Sequence, residues 1–417
     1  MSQPPGPAEP APSGWRTRGQ ADAVAALRSM LARGGTPQSL LLVGPRGSGK
    51  TTVALDVAAA QLCSDPDPAA RPCRSCRSCR MVEHGNHPDI HRLAPAGPGD
   101  QIGIGGTDRP RGVRDLVADL ALMPVEGGAR VAIVESADRM TEDAQSAFLK
   151  TLEEPPDGVV TILCADDDAR LLPTIRSRCA RIRLGPVGAR DIEALLAERG
   201  VAEPPIAARL ARLAGGRPGA AMSYALSPEA QTIRAEIARR LLDLLQLGRS
   251  GRLVAIRELA GRGGDLVRAL ETGAARGRRT PPAAVGAGAA AGGAGRSDAG
   301  PLEVDAEEDG LPGGASGRIR IPAAERRRGA LALVGIWRGV TRDLTLYGRG
   351  ERRRLADPSL LEDLERATAR LDAASAGSFL ARLVQAGDLM EANVAPELTL
   401  DVLAVAWGSG GRHGRDR

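Results

Sequence analysis

A short apolar run, Ser39-Leu40-Leu41-Leu42-Val43, stops at glycine and continues as Gly44-Pro45-Arg46-Gly47-Ser48-Gly49-Lys50-Thr51, then Thr52 and an Ala-rich stretch to Leu62. A run with no polar alternation is the mark of a strand buried on both faces, which places it in a parallel sheet covered by helices. The eight residues from Gly44 match G-x-x-x-x-G-K-[ST], a loop whose backbone N–H groups curl around phosphate oxygens. Its Lys reaches the β- and γ-phosphates and its hydroxyl residue takes Mg²⁺. The helix expected over Thr51–Leu62 aims its positive end at the same anion. The chain holds 417 residues with only two lysines, Lys50 and Lys150, against 54 arginines, so a retained ammonium at Lys50 stands out. A Gly-rich surface turn is the plain alternative, but the strand before and the helix after are the context that a phosphate loop needs. The residues from Gly44 through Thr52 are therefore the candidate site for ATP or ADP with Mg²⁺.

Further elements repeat the alternation. Ala21–Arg33 has helical apolar spacing. Arg130–Glu135, Val159–Cys164 and Arg181–Leu184 read as buried strands, and Glu142–Glu154 is a helix stopped by Pro155-Pro156. Strands alternating with helices predict an α/β domain with a parallel sheet. After Gly185-Pro186 only helices are expected: Ala189–Arg199, Ile206–Leu213, Gly219–Leu226, Ala230–Leu247, Gly251–Leu270, Ala323–Tyr347 and Pro358–Ala386. The expected division is a disordered start (1–13), a nucleotide-binding domain (14–185), a helical lid (186–227) and a helical domain (228–407) with a flexible tail (408–417). An Ala/Gly/Pro-rich, low-complexity segment at 272–322 is expected to interrupt the last domain as a disordered insert.

Four of the six cysteines, Cys63, Cys73, Cys76 and Cys79, fall within residues 63–79. Cys-x-x-Cys turns set two thiolates on one side of a metal, and a fourth Cys closes a tetrahedral structural zinc site. A redox pair needs two cysteines and free thiols need no spacing; His84 or His87 in place of Cys63 is the remaining variant. Cys164 reads as a core residue at a strand end. No stretch of 18 apolar residues and no secretory pattern is present, so no membrane association and a cytoplasmic location are expected. A net charge of +5 permits a nucleic-acid neighbour without requiring one. Seven aromatic residues are too few for a base-stacking surface, so contacts to nucleic acid would run through phosphates.

The phosphate loop, the cysteine cluster, His87-Pro88-Asp89, the segment Phe148–Pro156 and Ser177-Arg178-Cys179 together resemble bacterial DNA polymerase III clamp-loader subunits of the AAA+ class, from about Trp15 to Leu226. The resemblance implies a RecA-like P-loop domain with a zinc module, a small helical lid and an all-α C-terminal collar. Two kinds of subunit share these strings: the ATPase motor, gamma or tau, and delta-prime, which usually does not hydrolyse ATP. Three positions favour delta-prime. Where a motor has Asp-Glu after the strand Val131–Val134, this chain has Glu135-Ser136. Glu135 then stands on the metal side of the nucleotide, and a Ser136 hydroxyl is no base. Asp166-Asp167-Asp168 fall where motors sense the γ-phosphate with a neutral side chain. Pro218 falls where motors place a lid arginine, with Arg217 beside it. Arg178 matches the family's arginine finger, which acts in trans on a neighbouring motor and raises hydrolysis by orders of magnitude; a solvated surface arginine is the plain alternative. Lys150 is either a solvent-facing residue or a phosphate contact.

The implied role is a non- or weakly hydrolysing subunit with no polymerase site of its own. Its partners would be gamma/tau and delta subunits, the sliding clamp, and primed DNA through the assembled complex. An active motor, or an AAA+ accessory protein outside the clamp loader, are the alternatives.

Overall fold

The computed structural model describes residues 14–33, 37–96, 99–106, 109–126, 128–279, 322–392 and 394–408. The expected disordered start (1–13), the tail beyond 408 and residues 280–321 of the expected insert lie outside these. The first half of the chain runs α1 (Ala21–Ala32), β1 (Ser39–Val43), α2 (Lys50–Gln61), α3 (Arg77–His84), β2 (Ile90–Leu93), α4 (Val113–Leu120), β3 (Arg130–Val134), α5 (Glu142–Glu153), β4 (Val159–Ala165), α6 (Pro173–Arg178) and β5 (Ala180–Arg183). The five strands form one parallel sheet in the order β2-β3-β4-β1-β5.

Strand side chains alternate between faces, and here both faces are covered. Leu40, Leu42, Val131, Ile133 and Ile162 pack with Val53 and Val57 of α2 and Leu27 of α1. Their neighbours Leu41, Val43, Ala132, Val134 and Leu163 pack with Leu116 of α4, Phe148 of α5 and Ile175 of α6. Each fully buried Leu, Ile or Val contributes about 1.5–3 kcal/mol, so the continuous apolar run has a direct energetic cause. β1 and β4 run in register from Ser39↔Thr161 to Val43↔Ala165. Their carboxyl ends therefore finish level, and the residues that follow them, Gly44 and Asp166, emerge side by side. α5 starts at Thr141, whose hydroxyl accepts from Ala144 N–H at 3.3 Å, and ends before the two prolines.

The second half contains α7 (Ala189–Glu198), α8 (Pro204–Ala214), α9 (Pro218–Ala225), α10 (Pro228–Asp243), α11 (Arg249–Arg279), α12 (Ala323–Gly348), α13 (Leu361–Thr368), α14 (Ala373–Glu391) and α15 (Pro396–Ala406). Ile192, Leu196, Leu210 and Ala221 close a small core among α7, α8 and α9. A larger core joins the remaining six helices. At its centre Trp337, Phe379 and Trp407 meet with ring centroids 5.3, 5.6 and 4.6 Å apart, and Trp407 Nε1 donates to Leu241 O at 2.9 Å. All seven aromatic residues are buried or half-buried, which leaves none as a base-stacking platform. Gly263 of α11 faces Gly329 of α12 so closely that a Cβ added to Gly263 would lie 2.3 Å from the Gly329 carbonyl oxygen.

Several boundaries differ from the sequence reading. α11 does not stop before residue 272 but continues to Arg279, because its buried face persists through Leu266 and Ala269 and Gly273 packs on Ser227. The stretch 358–386 is two helices rather than one. Asp372 breaks it by accepting from Ser375 N–H at 2.8 Å and starting a new helix. The structure adds an edge strand, β2, and a last helix, α15. No helix among the described residues is long and apolar enough to cross a membrane.

Candidate functional site

The loop between β1 and α2 is held at both ends. Gly44 N–H donates to Ala165 O at 3.1 Å, tying the start of the loop to the end of β4, and Val53 N–H donates to Gly49 O at 2.9 Å. Gly49 has φ +98°, a left-handed conformation that a glycine adopts without penalty, and no side chain caps α2. A Cβ added at Gly49 would meet nothing within 4 Å. The Ser48 hydroxyl is buried without a partner. An uncapped helix N-terminus, an open approach at Gly49 and an orphaned hydroxyl fit a phosphate group. Gly44, Gly47, Gly49, Lys50 and Thr51 would hold it, while Pro45, Arg46 and Thr52 are exposed at its rim.

The charges around this loop are already paired. The Lys50 ammonium is buried and donates to Gly44 O at 2.7 Å, Pro45 O at 3.1 Å and Asp166 Oδ1 at 2.5 Å. Asp166 N–H in turn donates to Asp138 Oδ1 at 2.9 Å. Burial, helped by the charge of Asp166, raises the Asp138 carboxyl above the usual carboxylate range. Glu135 does not stand free: Arg92, from edge strand β2, donates Nε to its Oε1 at 2.9 Å. Behind them Cys164 is the core residue that the sequence indicated, its thiol pushed up to about 12 by burial. Ser136 has φ +52° at the turn after β3 and its side chain does not cap the short helical turn that follows.

Two contacts join the loop to the rest of the chain. The Gln20 side chain donates to Gly185 O at 2.7 Å and accepts from Gly185 N–H at 3.2 Å, and its Nε2 lies 3.5 Å from Ser48 O. Gly219 N–H, in the first turn of α9, reaches Gly47 O at 3.4 Å. Pro218 starts that helix. Arg217 is exposed but lies against the loop, its Cβ 3.3 Å from where a Cβ on Gly47 would be, and its Nε donates to Ala214 O at 2.9 Å. Desolvation lowers its guanidinium pKa. Arg217 therefore lies at the loop while its Nε is spent on the backbone at the end of α8.

Cys63, Cys73, Cys76 and Cys79 come together, with every sulfur within 4.8 Å of the others and 4.0 Å between Cys63 and Cys76. Zn–S bonds of about 2.3 Å arranged tetrahedrally place sulfurs about 3.8 Å apart, so the donor set fits Zn²⁺. Each cysteine N–H supports the preceding sulfur: Cys73 N–H donates to Cys63 Sγ, Cys76 N–H to Cys73 Sγ and Cys79 N–H to Cys76 Sγ, all at 3.4 Å. The Ser75 hydroxyl leads the effects that draw the Cys73 thiol down to about 6, whereas burial pushes Cys79 up. His84 and His87 are not part of the cluster. His87 is buried with Nδ1 accepting from Asp89 N–H at 3.2 Å, and Asp89 caps Val125 N–H and Glu126 N–H at 2.7 and 2.9 Å. His87-Pro88-Asp89 is thus a structural corner. The cluster is anchored to α2 through Asp56, 1 % exposed, which accepts from Arg16 N–H (3.0 Å), Thr17 N–H (2.9 Å) and Thr17 Oγ1 (2.6 Å) and pairs with Arg74.

Arg178 ends α6, where its side chain donates to Thr174 O at 3.0 Å and pairs with Glu153 of α5 at 2.6 Å. Gln145 fixes this corner by donating to Met140 O and Arg170 O and accepting from Leu172 N–H. Lys150 is exposed on α5. The sequence reading missed the partners Arg92, Gln20 and Glu153, for which no local signal existed, since each contact joins separate elements.

A five-stranded parallel sheet with a phosphate loop after its β1, followed by helices, defines the class: a P-loop α/β protein with a helical C-terminal half. Residues 19–188 match the family model described as DNA polymerase III, delta subunit. The DNA polymerase III subunit delta-prime of Bacillus subtilis is 32% identical over 173 residues, 42% of this chain and 49% of that protein. The gamma/tau subunit of Mycobacterium bovis is 33% identical over 186 residues, 43% of this chain and 30% of that one. The matched stretch is thus about half or less of either relative's length. A solved structure of a gamma subunit-related protein from Thermotoga maritima aligns over 91% of this chain and 96% of its own, with 18% identity and a TM-score of 0.40. The N-terminal part of the chain is thus similar to DNA polymerase III delta-prime and gamma/tau subunits.

Proposed function

We propose that this chain acts as the delta-prime subunit of a DNA polymerase III clamp loader. Its AAA+ domain (14–185) binds ATP or ADP with Mg²⁺ and turns it over poorly, its lid (186–227) covers the loop, and its collar (228–407) joins the complex. The observation that carries the poor-turnover reading is the paired charge around the loop. Lys50 is held by Asp166, Glu135 is held by Arg92, and Ser136 stands where a water-activating carboxylate would be required. A hydroxyl with its ordinary, very high pKa takes no proton from water at neutral pH. The bound Mg²⁺ would supply charge neutralisation on the phosphates; Thr51 and Glu135 are the residues to hold it. Zn²⁺, bound by the four cysteines, would fix the excursion between α2 and α3 as a structural ion.

In the assembled ring Arg178 would leave Glu153 and reach the nucleotide of an adjacent gamma/tau subunit, supporting clamp loading at primed DNA in the cytoplasm. The intact loop and the carboxylate Asp138 favour a second reading, an active motor. Steady-state hydrolysis by the purified chain separates them: turnover above roughly 0.1 per second without partners, already modest for an enzyme, removes the delta-prime reading. Binding to a gamma/tau subunit in gel filtration supports it, and absence of any such complex overturns it.

A further inference from the structure

The Lys50 ammonium has three N–H donors and all three are engaged. Two go to loop carbonyls, which are neutral. The third goes to the Asp166 carboxylate at 2.5 Å, at a buried position where charge–charge interactions are stronger than in water. Asp166 follows directly on β4, and its own N–H is bound to Asp138, so the two carboxylates form one acidic wall at the end of the loop. Arg92 is spent on Glu135, and Arg217 donates its Nε to the backbone at the end of α8. Neither side chain is engaged with that wall.

We propose that Asp166 makes the loop selective for nucleoside diphosphates over triphosphates. This rests on the nucleotide-binding reading above. Backbone N–H groups of the loop and the first turn of α2 serve the diphosphate, and its β-phosphate takes the Lys50 N–H donors now on the neutral Gly44 and Pro45 carbonyls, which leaves the Lys50–Asp166 contact in place. A third phosphate must take Lys50 from Asp166 and then lie against the acidic wall. Asp166 thereby acts as an internal counter-anion that competes for Lys50 more strongly with the terminal phosphate of a triphosphate than with the β-phosphate of a diphosphate.

The test is calorimetric titration of the full chain with MgADP, MgATP and a non-hydrolysable ATP analogue, for wild type, Asp166→Asn and Asp166→Ala. Wild type should bind MgADP at least tenfold more tightly than either triphosphate. Both variants should gain tenfold or more in triphosphate affinity, about 1.4 kcal/mol, with MgADP affinity changed less than threefold. The MgADP value also reports that each variant is folded. A wild type without preference, or variants whose preference is unchanged, overturns the proposal while the nucleotide-binding reading stands. Loss of triphosphate affinity in Asp166→Asn overturns it as well, because the carboxylate would then be serving Mg²⁺. If no form binds MgADP at millimolar concentration, the nucleotide-binding reading falls and takes this one with it.

Discussion

Asp56→Ala is the substitution whose cost can be worked most fully from the structure. The carboxylate is 1 % exposed on the helix that follows the phosphate loop, and it accepts two backbone N–H groups and the Thr17 hydroxyl. It also pairs with Arg74, whose Nε donates to Gly14 O at 2.5 Å within the cysteine excursion. Alanine orphans three donors at about 1 kcal/mol each at the low end, and unpairs an arginine for about 1 kcal/mol more, since that guanidinium retains some access to water. The sum is about 4 kcal/mol. Hydrogen-exchange mass spectrometry reads this locally. The slowest amides of α2 should exchange on the order of a thousandfold faster, because each 1.4 kcal/mol is a factor of ten. Asp67→Ala is the control: Asp67 is exposed and caps only Ala69 N–H at 2.9 Å, so it should cost about 1 kcal/mol or less. Acceleration in α2 of less than about tenfold for Asp56→Ala would refute the view that one buried carboxylate staples the N-terminal segment, the loop helix and the cysteine excursion together.

Three further outcomes follow. Protein purified without chelator should carry about one Zn per chain by elemental analysis, and Cys76→Ser, which keeps a side chain able to cap α3, should lose it. Arg178→Ala should leave the assembled complex intact in gel filtration but remove most of its clamp-stimulated ATPase; full activity would dismiss the trans role. Asp357 supplies a pH dependence. Burial opposes its ionisation, but the Ser359 hydroxyl together with Arg234 and Arg209 outweighs that and holds the carboxyl below its ordinary value. Its contribution is complete above the unfolded value of about 3.9 and is lost as pH falls through the lower folded value. Wild type should therefore exceed Asp357→Asn in urea stability at pH 7, with the gap closing at acid pH.

What could be read in the sequence was local. The phosphate loop is eight consecutive residues between an apolar strand and a helix, and the cysteines sit within one short excursion, so spacing alone indicated both. The edge strand β2 was illegible because only Leu93 of Ile90-His91-Arg92-Leu93 is buried, and a strand covered on so little of its surface has no apolar signature. The overrun of α11 escaped because its glycines weaken helix propensity, while packing against α12 and Ser227 overrides it. Asp166 was legible as a carboxylate in an awkward place; its pairing with Lys50 was not, because the two are joined only by the parallel alignment of β1 and β4. The same holds for Arg92 with Glu135 and Glu153 with Arg178, where the partner lies on another element.

The contact between Gly263 and Gly329 sets the phase of the C-terminal helices. Sliding α12 by one residue moves it about 1.5 Å and turns it by about 100°, which would bring Arg328 or Ala330, each with a Cβ, into a gap against Gly263 and Gly264 of α11 that is too narrow for any side chain. The pair can therefore mesh at one tooth only, like a keyed shaft. Trp337 lies on α12 two turns beyond the key, so the position of the whole aromatic centre, and with it the seat of Trp407 and α15, is indexed by glycines that have no side chain.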